Sequence, residues 1–183
     1  MTDTALILVD IQNDYFESGR WPLHKMDEAS TNAARVLEHA RKQGQMVVHI
    51  HHEIPSDEAP FFRPGSKGAE IHPSVAPVAG EEKILKHRPN SFVDTRLQDT
   101  LSSRGISRVI IIGAMSQMCI DATARAAKDL GYDVTVVHDA CAARDSEFDG
   151  VAVPAVQVHA AFMAGLSGTY ARLVDSNSLV SAP

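Results

Sequence analysis

The chain has 183 residues, of which 44% are hydrophobic and 5% aromatic, and it carries a formal net charge of −6. This length suits a single domain with a sizeable core, which we expect to span residues 1–183. The mild acidity and the scattered basic residues argue against a nucleic-acid-binding or membrane-binding surface. We therefore expect a small-molecule substrate, with no nucleic-acid or membrane partner.

The N-terminus and the cysteines indicate a cellular compartment. The segment "MTDTALILVDIQNDY" has an acidic residue where a signal peptide has Lys or Arg. Its apolar run, residues 5–9, is too short for a signal core or a membrane span. Cys119 and Cys141 could form a disulfide, but nothing else suggests secretion. We expect a cytoplasmic protein whose two thiols are reduced.

Strand-like and helix-like patterns alternate along the chain. Short apolar runs are typical of strands that are buried on both faces, and apolar residues at helical spacing mark the segments between them. Ser30 is a candidate N-cap, Gly44 a helix stop, and Pro154 is tolerated in a first turn. The predicted strands are 5–9, 45–50, 82–85, 108–113, 133–139 and 170–176; the predicted helices are 30–44, 94–105, 121–131 and 151–165.

This alternation predicts an α/β fold with three α/β/α layers around a six-stranded, mostly parallel sheet. In such a sheet, sites form where the strands reach their carboxyl ends. The segment 51–81, rich in Pro, Gly and His, is long for an irregular stretch, and such stretches are usually functional. The residues that follow the predicted strands are therefore the first candidates for a site.

Three reactive side chains occupy these positions. Asp10 follows the first strand and is either a cap for the next segment or a carboxylate aimed into a cleft. Lys86 follows the third strand, and a lysine taken alone is more often a solvated surface residue. Cys119 lies at the start of the helix after the fourth strand, although a lone cysteine is often a buried apolar residue.

Together the three residues form a set suited to acyl transfer. Free N–H groups at a helix start stabilise a thiolate, and the same groups could hold an oxyanion. Asp10 would move a proton, and the Lys86 ammonium would lower the pKa of the Cys119 thiol.

Several segments in their order along the chain resemble the isochorismatase-like cysteine hydrolases. They are "LILVDIQNDYF", "PGSKGAEIHP", "ILKHRPNSF", "IIIGAMSQMCIDATARAAKDLGYDVTVVHDACAA" and "VHAAF". The resemblance implies the six-stranded parallel sheet and a catalytic triad of Asp10, Lys86 and Cys119. It also implies a non-proline cis peptide before Met115, an oxyanion hole from the N–H groups of Met115 and Cys119, and a homodimer or larger homo-oligomer.

Within this family the nicotinamidases bind a divalent metal through an Asp-x-His element and a further His after the second strand. Here "HIHHEIPSDEAPFF" has His49, His51 and His52 but no Asp two residues before a His. His49 and His51 should also face away from His52 along an extended strand. We therefore expect no metal and no cofactor, with His51 and His52 lining the pocket or bonding to the loop.

Aromatic residues supply further candidates for the pocket. Tyr15 from the Asp10 loop and Phe61 and Phe62 from the long loop could contact substrate, and simple packing is the alternative. Cys141, beyond the fifth strand, is expected to be a packed thiol.

Three function classes remain open from the sequence. The first and favoured one is a thiol-dependent hydrolase of an amide-type C–N bond, because Cys119 is present. The second is an isochorismatase-type vinyl ether hydrolase, a branch that generally lacks the cysteine. The third is a binding or scaffold protein without activity, against which the complete set of Asp10, Lys86 and Cys119 argues.

Overall fold

The computed structural model describes residues 2–181. The strands are β1 (Thr4–Val9), β2 (Met46–His52), β3 (Glu82–Lys86), β4 (Arg108–Ala114), β5 (Asp133–Ala142), β6 (Ser146–Phe148), β7 (Val151–Val153) and β8 (Arg172–Val174). The helices are α1 (Met26–Lys42), α2 (Leu97–Ser102), α3 (Asp121–Asp129), α4 (Ala155–Leu166) and α5 (Ser176–Val180).

Six strands form one sheet in the order β3-β2-β1-β4-β5-β8, and every neighbouring pair is parallel. The predicted α/β fold with a six-stranded parallel sheet is confirmed. From β1 the chain builds outward through β2 to β3, and from β4 it builds outward in the other direction through β5 to β8. The order therefore reverses between β1 and β4, and a crevice opens at such a point beyond the carboxyl ends of the strands.

The sheet separates two apolar cores. On one face α1 covers alternate side chains of the central strands, among them Leu6 and Leu8 of β1. On the other face the intervening side chains, such as Ile7 and Val9, pack with residues of α2, α3 and α4. Because both faces are covered, the central strands read as continuous apolar runs rather than as alternating ones.

Gly113 allows β4 to lie against the end of β1. It pairs with Val9 in the parallel register and has a φ of 126°. A Cβ atom at this position would lie 1.9 Å from the carbonyl oxygen of Val9, so no other residue fits without a backbone shift. This close approach sets the separation between the ends of β1 and β4, where the candidate site lies.

The first helix begins earlier than the sequence predicted. α1 starts at Met26 after Lys25, which has a positive φ of 54°, so Ser30 lies one turn inside the helix and is not its cap. The Ser30 hydroxyl instead contacts the Ser74 hydroxyl at 2.6 Å in the long segment after β2. The hydroxyl that the sequence pattern assigned to helix capping therefore makes a tertiary contact instead.

Two other helices begin later than predicted. Residues 151–153 are not helical but form β7, which pairs antiparallel with β6 in a hairpin. Pro154 then precedes α4 with an extended ψ of 146°, which ends the strand and starts the helix. α2 spans only Leu97–Ser102 of the predicted 94–105.

No helix within residues 2–181 is both long and apolar enough to cross a membrane.

Candidate active site

Asp10 occupies the first position after β1 and is fully buried. Its backbone N–H donates to Ile50 O at 3.0 Å, and its φ is 54°. Within the described residues no backbone N–H donates to its carboxylate, so capping does not explain this acid. The carboxylate instead faces the crevice between the strand ends.

Lys86 is the last residue of β3 and is only 1% exposed, so it is not a solvated surface lysine. Its register partner in β2 is His52. The ammonium Nζ lies 2.7 Å from Asp10 Oδ2, 3.2 Å from Cys119 Sγ and 3.2 Å from His52 Nδ1. It also donates to the carbonyl oxygens of Arg88 and Pro89 at 3.1 and 3.4 Å.

Cys119 lies in a single π-helical turn, Ser116–Ile120, between β4 and α3. The carbonyl of Met115, the residue before this turn, accepts hydrogen bonds from Met118 N at 3.0 Å and from Ile120 N at 3.2 Å. The peptide bond between Ala114 and Met115 is cis. The turn places Cys119 at the carboxyl end of β4, beside the end of β1, and buries its side chain to 4% exposure.

The charges of the cluster stabilise one another. Burial acts to lower the pKa of Lys86, but the attraction of the Asp10 carboxylate and the hydrogen bonds to Asp10 and Cys119 outweigh it, so the pKa of Lys86 is raised. Lys86 is therefore an ammonium at neutral pH. An isolated charge buried to this degree would be costly, and the adjacent carboxylate compensates for that cost.

The charged neighbours of the Cys119 thiol have opposing effects on its pKa. Burial, and after it the Asp10 carboxylate, raise the pKa of Cys119, and the opposing effect of Lys86 is smaller. Lys86 does lower the pKa of the thiol, as expected from the sequence, but desolvation and the like charge of Asp10 outweigh the ammonium. The proton rests on sulfur, and Asp10 lies beside it as the base that can remove it.

His52 joins the cluster as a neutral side chain. Burial lowers the pKa of His52 to about 4, and Asp10 only partly opposes this shift. Since Lys86 donates toward Nδ1, the remaining proton of the neutral ring lies on Nε2. His52 therefore accepts from Lys86 through Nδ1, and its predicted contact with substrate stays a prediction.

Asp10, His52 and Cys119 carry atoms of the kind that bind metal ions. One possible ligand atom from each lies within 4.8 Å of the others, and within residues 2–181 no other group of three is this close. However, Lys86 Nζ contacts all three, so a positive charge already lies where a cation would coordinate. The donor set fits an ammonium better than a divalent metal.

His49 and His51 face away from the cluster, as expected for residues that alternate with His52 along a strand. His49 is buried and contacts Glu81 Oε2 at 2.8 Å. His51 is half-buried and lines a cavity of about 330 Å³ together with Glu53, Glu70 and Lys83. The lining of that cavity includes no member of the Asp10–Lys86–Cys119 set, so a substrate contact for His51 stays a prediction.

The predicted aromatic residues form one side of the site. Tyr15 is buried, and its ring centroid lies 4.6 Å from that of Phe62 and 5.9 Å from that of Phe61. Burial, and after it the charges of Cys119 and Asp10, raise the pKa of Tyr15. Phe62 is fully buried, whereas Phe61 is half-buried and available to a ligand.

Sequence reasoning missed two residues at the outer edge of this aromatic group. The Trp21 ring stacks on Phe61 with a centroid separation of 4.7 Å. The Arg144 guanidinium lies over the Trp21 ring, 3.7 Å from its centroid. Trp21 is the single tryptophan of the chain, and that feature could have drawn attention to it. No sequence feature pointed to Arg144, which follows β5 in a segment without a motif.

Two buried polar residues that follow β1 were also missed as anchors. The Gln12 amide accepts from His52 N at 2.8 Å and donates to the carbonyls of His52 and Ala69 at 2.8 Å each. The Asp14 carboxylate accepts from Phe62 N at 2.6 Å and from Arg20 N at 3.2 Å. These side chains fasten the long segment 51–81 to the Asp10 loop and so position the aromatic wall.

The chain is similar to known proteins over most of its length. Residues 4–170 match the model of the isochorismatase domain. The uncharacterized isochorismatase family protein YddQ of Bacillus subtilis is 46% identical over 177 residues, which cover 97% of this chain and 98% of YddQ. The secreted isochorismatase effector Isc1 of Verticillium dahliae is 33% identical over 97% of this chain and 90% of its own length.

One relative is named for a specific activity, and one solved structure has the same fold. A streptothricin hydrolase of Streptomyces noursei is 37% identical over 150 residues, which are 77% of this chain and 50% of that protein. An isochorismatase-family crystal structure from Oleispira antarctica superposes with a TM-score of 0.95 at 52% identity, over 98% of this chain and 96% of the other. The domain match, the full-length relatives and the shared fold show that the chain belongs to the isochorismatase family of hydrolases.

Proposed function

We propose that the protein hydrolyses an amide-type C–N bond of a small molecule through a covalent acyl intermediate on Cys119. The observation that carries the proposal is the buried contact of one ammonium, Lys86 Nζ, with both Asp10 and Cys119. A thiol beside a carboxylate is a nucleophile beside its base, the arrangement that covalent catalysis requires. The activity name of the streptothricin hydrolase supports hydrolysis in a relative, and its substrate is one candidate for this chain.

The first half of the reaction forms the acyl-enzyme. Asp10 takes the thiol proton while Cys119 Sγ bonds to the carbonyl carbon, and the carbonyl electron pair moves onto oxygen. The backbone N–H groups of Met115 and Cys119 are the proposed donors to this oxyanion. Asp10 then gives its proton to the leaving nitrogen, the C–N bond breaks, and an amine or ammonia departs from the thioester.

The second half restores the enzyme. Asp10 removes a proton from water, the resulting hydroxyl bonds to the thioester carbon, and the C–S bond of the tetrahedral adduct then breaks. The proton returns from Asp10 to sulfur, and a carboxylic acid is released. Because the thiol is protonated at rest, this scheme makes Asp10 essential in both halves, and Lys86 keeps the carboxylate charged and oriented.

The alternative is hydrolysis of a vinyl ether, for which the naming of Isc1 as an isochorismatase effector is the supporting observation. That reaction needs no thiol nucleophile. A panel of primary amides, lactams, ureido acids, streptothricin and isochorismate, read as ammonia or product release, tests both. Activity that needs Cys119 supports the C–N assignment, whereas isochorismate turnover that survives Cys119→Ala would reject it.

A homodimer or larger homo-oligomer and a cytoplasmic location complete the proposal. Sedimentation of the purified protein and fractionation of the producing cells are their respective tests.

A further inference from the structure

Ser116 lies between Met115 and Cys119 and is completely buried. Its hydroxyl is 3.1 Å from Ala142 O and 2.8 Å from His159 Nδ1. A hydroxyl has one proton, and the carbonyl of Ala142 can only accept it. Ser116 therefore donates to Ala142 O and accepts from His159, which requires the imidazole proton to be on Nδ1.

This chain of hydrogen bonds joins three elements at the turn that carries the nucleophile. Ser116 begins the π-helical turn, Ala142 is the last residue of β5, and His159 lies in the first half of α4. Burial, and then the neighbouring His138, lower the pKa of His159, so the ring is neutral near pH 7. A neutral ring has one N–H, and here that N–H is directed at Ser116.

We propose that His159 is a positioning residue for the hydrolytic reaction, which holds Ser116 and through it the turn bearing Cys119. The inference rests on the proposed function for its effect on turnover. His159 touches no reacting atom in this scheme. Its role is to keep Sγ and the neighbouring N–H groups in the geometry of attack, where a displacement of about 1 Å costs roughly 100-fold in rate.

The side chain of His159 can be replaced in graded ways. Asn puts an N–H donor at the place of Nδ1, Gln moves its amide one carbon farther, and Ala removes the donor. We expect His159→Ala and Ser116→Ala to lower kcat by about 10- to 100-fold with KM changed less than about threefold. His159→Asn should recover most of the loss, and His159→Gln should not.

A double-mutant cycle separates positioning through Ser116 from a general loss of packing. If the two residues act as one unit, adding His159→Ala to Ser116→Ala should change kcat by less than about twofold. Val156→Ala is the matched control, because the exposed Val156 lines the same cavity of about 260 Å³ as His159. The control should leave kcat near the wild-type value, and independent, additive losses in the cycle would overturn the proposal.

The hydrogen-bond assignment is tested without any substrate. Long-range ¹H–¹⁵N correlation spectra of the imidazoles should show the His159 ring in the Nδ1–H form, the less common one for free histidine, and His159→Asn should remove its signal. The His87 ring, whose Nδ1 lies 2.7 Å from Glu53 O, should give a second such signal that this substitution leaves in place. Ser116→Ala should change the His159 signal. A wild-type His159 protonated on Nε2, or a spectrum unaffected by Ser116→Ala, contradicts the inference.

Alkylation of Cys119 by iodoacetamide gives a second reading that is independent of amide hydrolysis. Loosening the turn should expose the thiol, so His159→Ala and Ser116→Ala should each accelerate alkylation by at least about threefold, and the double variant by no more than either. If the substrate panel yields no amide turnover but the spectra and alkylation behave as stated, the proposed function fails and the positioning role stands. Unchanged alkylation in both single variants overturns the positioning role.

Discussion

Lys86 Nζ lies 2.7 Å from Asp10 Oδ2 and 3.2 Å from Cys119 Sγ, so a single buried ammonium joins the proposed base to the proposed nucleophile. The pairing explains why a lysine can be 1% exposed and still charged. In the proposed mechanism the carboxylate moves protons, the thiol forms the covalent bond, and the ammonium holds both.

Cys119→Ala should lower the rate of amide hydrolysis by at least about 1000-fold, because the covalent route is lost. The measurement is kcat/KM on whichever substrate the panel identifies. Cys141→Ala is the matched control: it removes the other buried thiol, whose Sγ contacts Val137 O, and it should retain activity. Retention of most activity in Cys119→Ala would reject the nucleophile.

Lys86→Met should raise the pKa of the Cys119 thiol further, because the opposite charge that favours the thiolate is gone. The rate of Cys119 alkylation should then be lower at every pH and rise only under more alkaline conditions than in the wild type. Lys86→Arg keeps the charge but has a wider planar head, so it should preserve the alkylation profile while losing turnover by at least about 100-fold. Three overlapping profiles with unchanged turnover would remove Lys86 from the site.

Prolonged dialysis against EDTA should leave activity within about a factor of two, because an ammonium lies among the only close set of possible ligands in residues 2–181. The control is the same dialysis with EDTA saturated with calcium. A large loss that zinc or iron restores would show that His52 and Asp10 bind a metal in place of Lys86.

Glu81 should make stability depend on pH in the acid range. Burial acts to raise its pKa, but Arg41, the Val78 N–H and His49 lower it to about 2 from an ordinary 4.5. A carboxyl whose pKa is lower in the folded state stabilises the fold above its unfolded pKa. That stabilisation is lost as the pH falls from 4.5 toward 2.

Glu81→Gln should therefore lower the free energy of unfolding at pH 7 by about 1–3 kcal/mol, since it removes charged hydrogen bonds to Arg41 and His49. The difference from wild type should shrink as the pH falls, as measured by urea unfolding at pH 7, 4 and 2.5. Glu58→Gln, an exposed acid, is the control and should have little effect at any pH. A constant difference across that range contradicts the assignment.

Gly113→Ala should destabilise the fold by at least about 3 kcal/mol, because the new Cβ would meet Val9 O in a backbone conformation that only glycine adopts easily. Gly165→Ala in α4 is the matched control. Its Cβ would meet only the Arg125 side chain at 3.4 Å, so the change should be neutral or stabilising by up to about 1 kcal/mol. Thermal unfolding of the two variants compares them directly; equal melting temperatures would contradict the close approach of β4 to β1.

The amino-acid sequence by itself determined the alternation of strands and helices, and with it the parallel sheet. Because the carboxyl ends of parallel strands meet at one end of a sheet, it also indicated that Asp10, Lys86 and Cys119 lie at that end. These features follow from local periodicity and from the positions of a few polar residues after apolar runs.

Only the tertiary structure decided what these residues experience. Burial of Lys86, the protonated state of Cys119 and the neutrality of His52 depend on groups from β1, β2, β3 and β4 that are far apart in the chain. Ser30 lies inside α1 and contacts Ser74, 44 residues away, and the link from Ser116 to His159 spans 43 residues. Desolvation and hydrogen bonding depend on every neighbour in space, whereas a sequence pattern reports only neighbours along the chain.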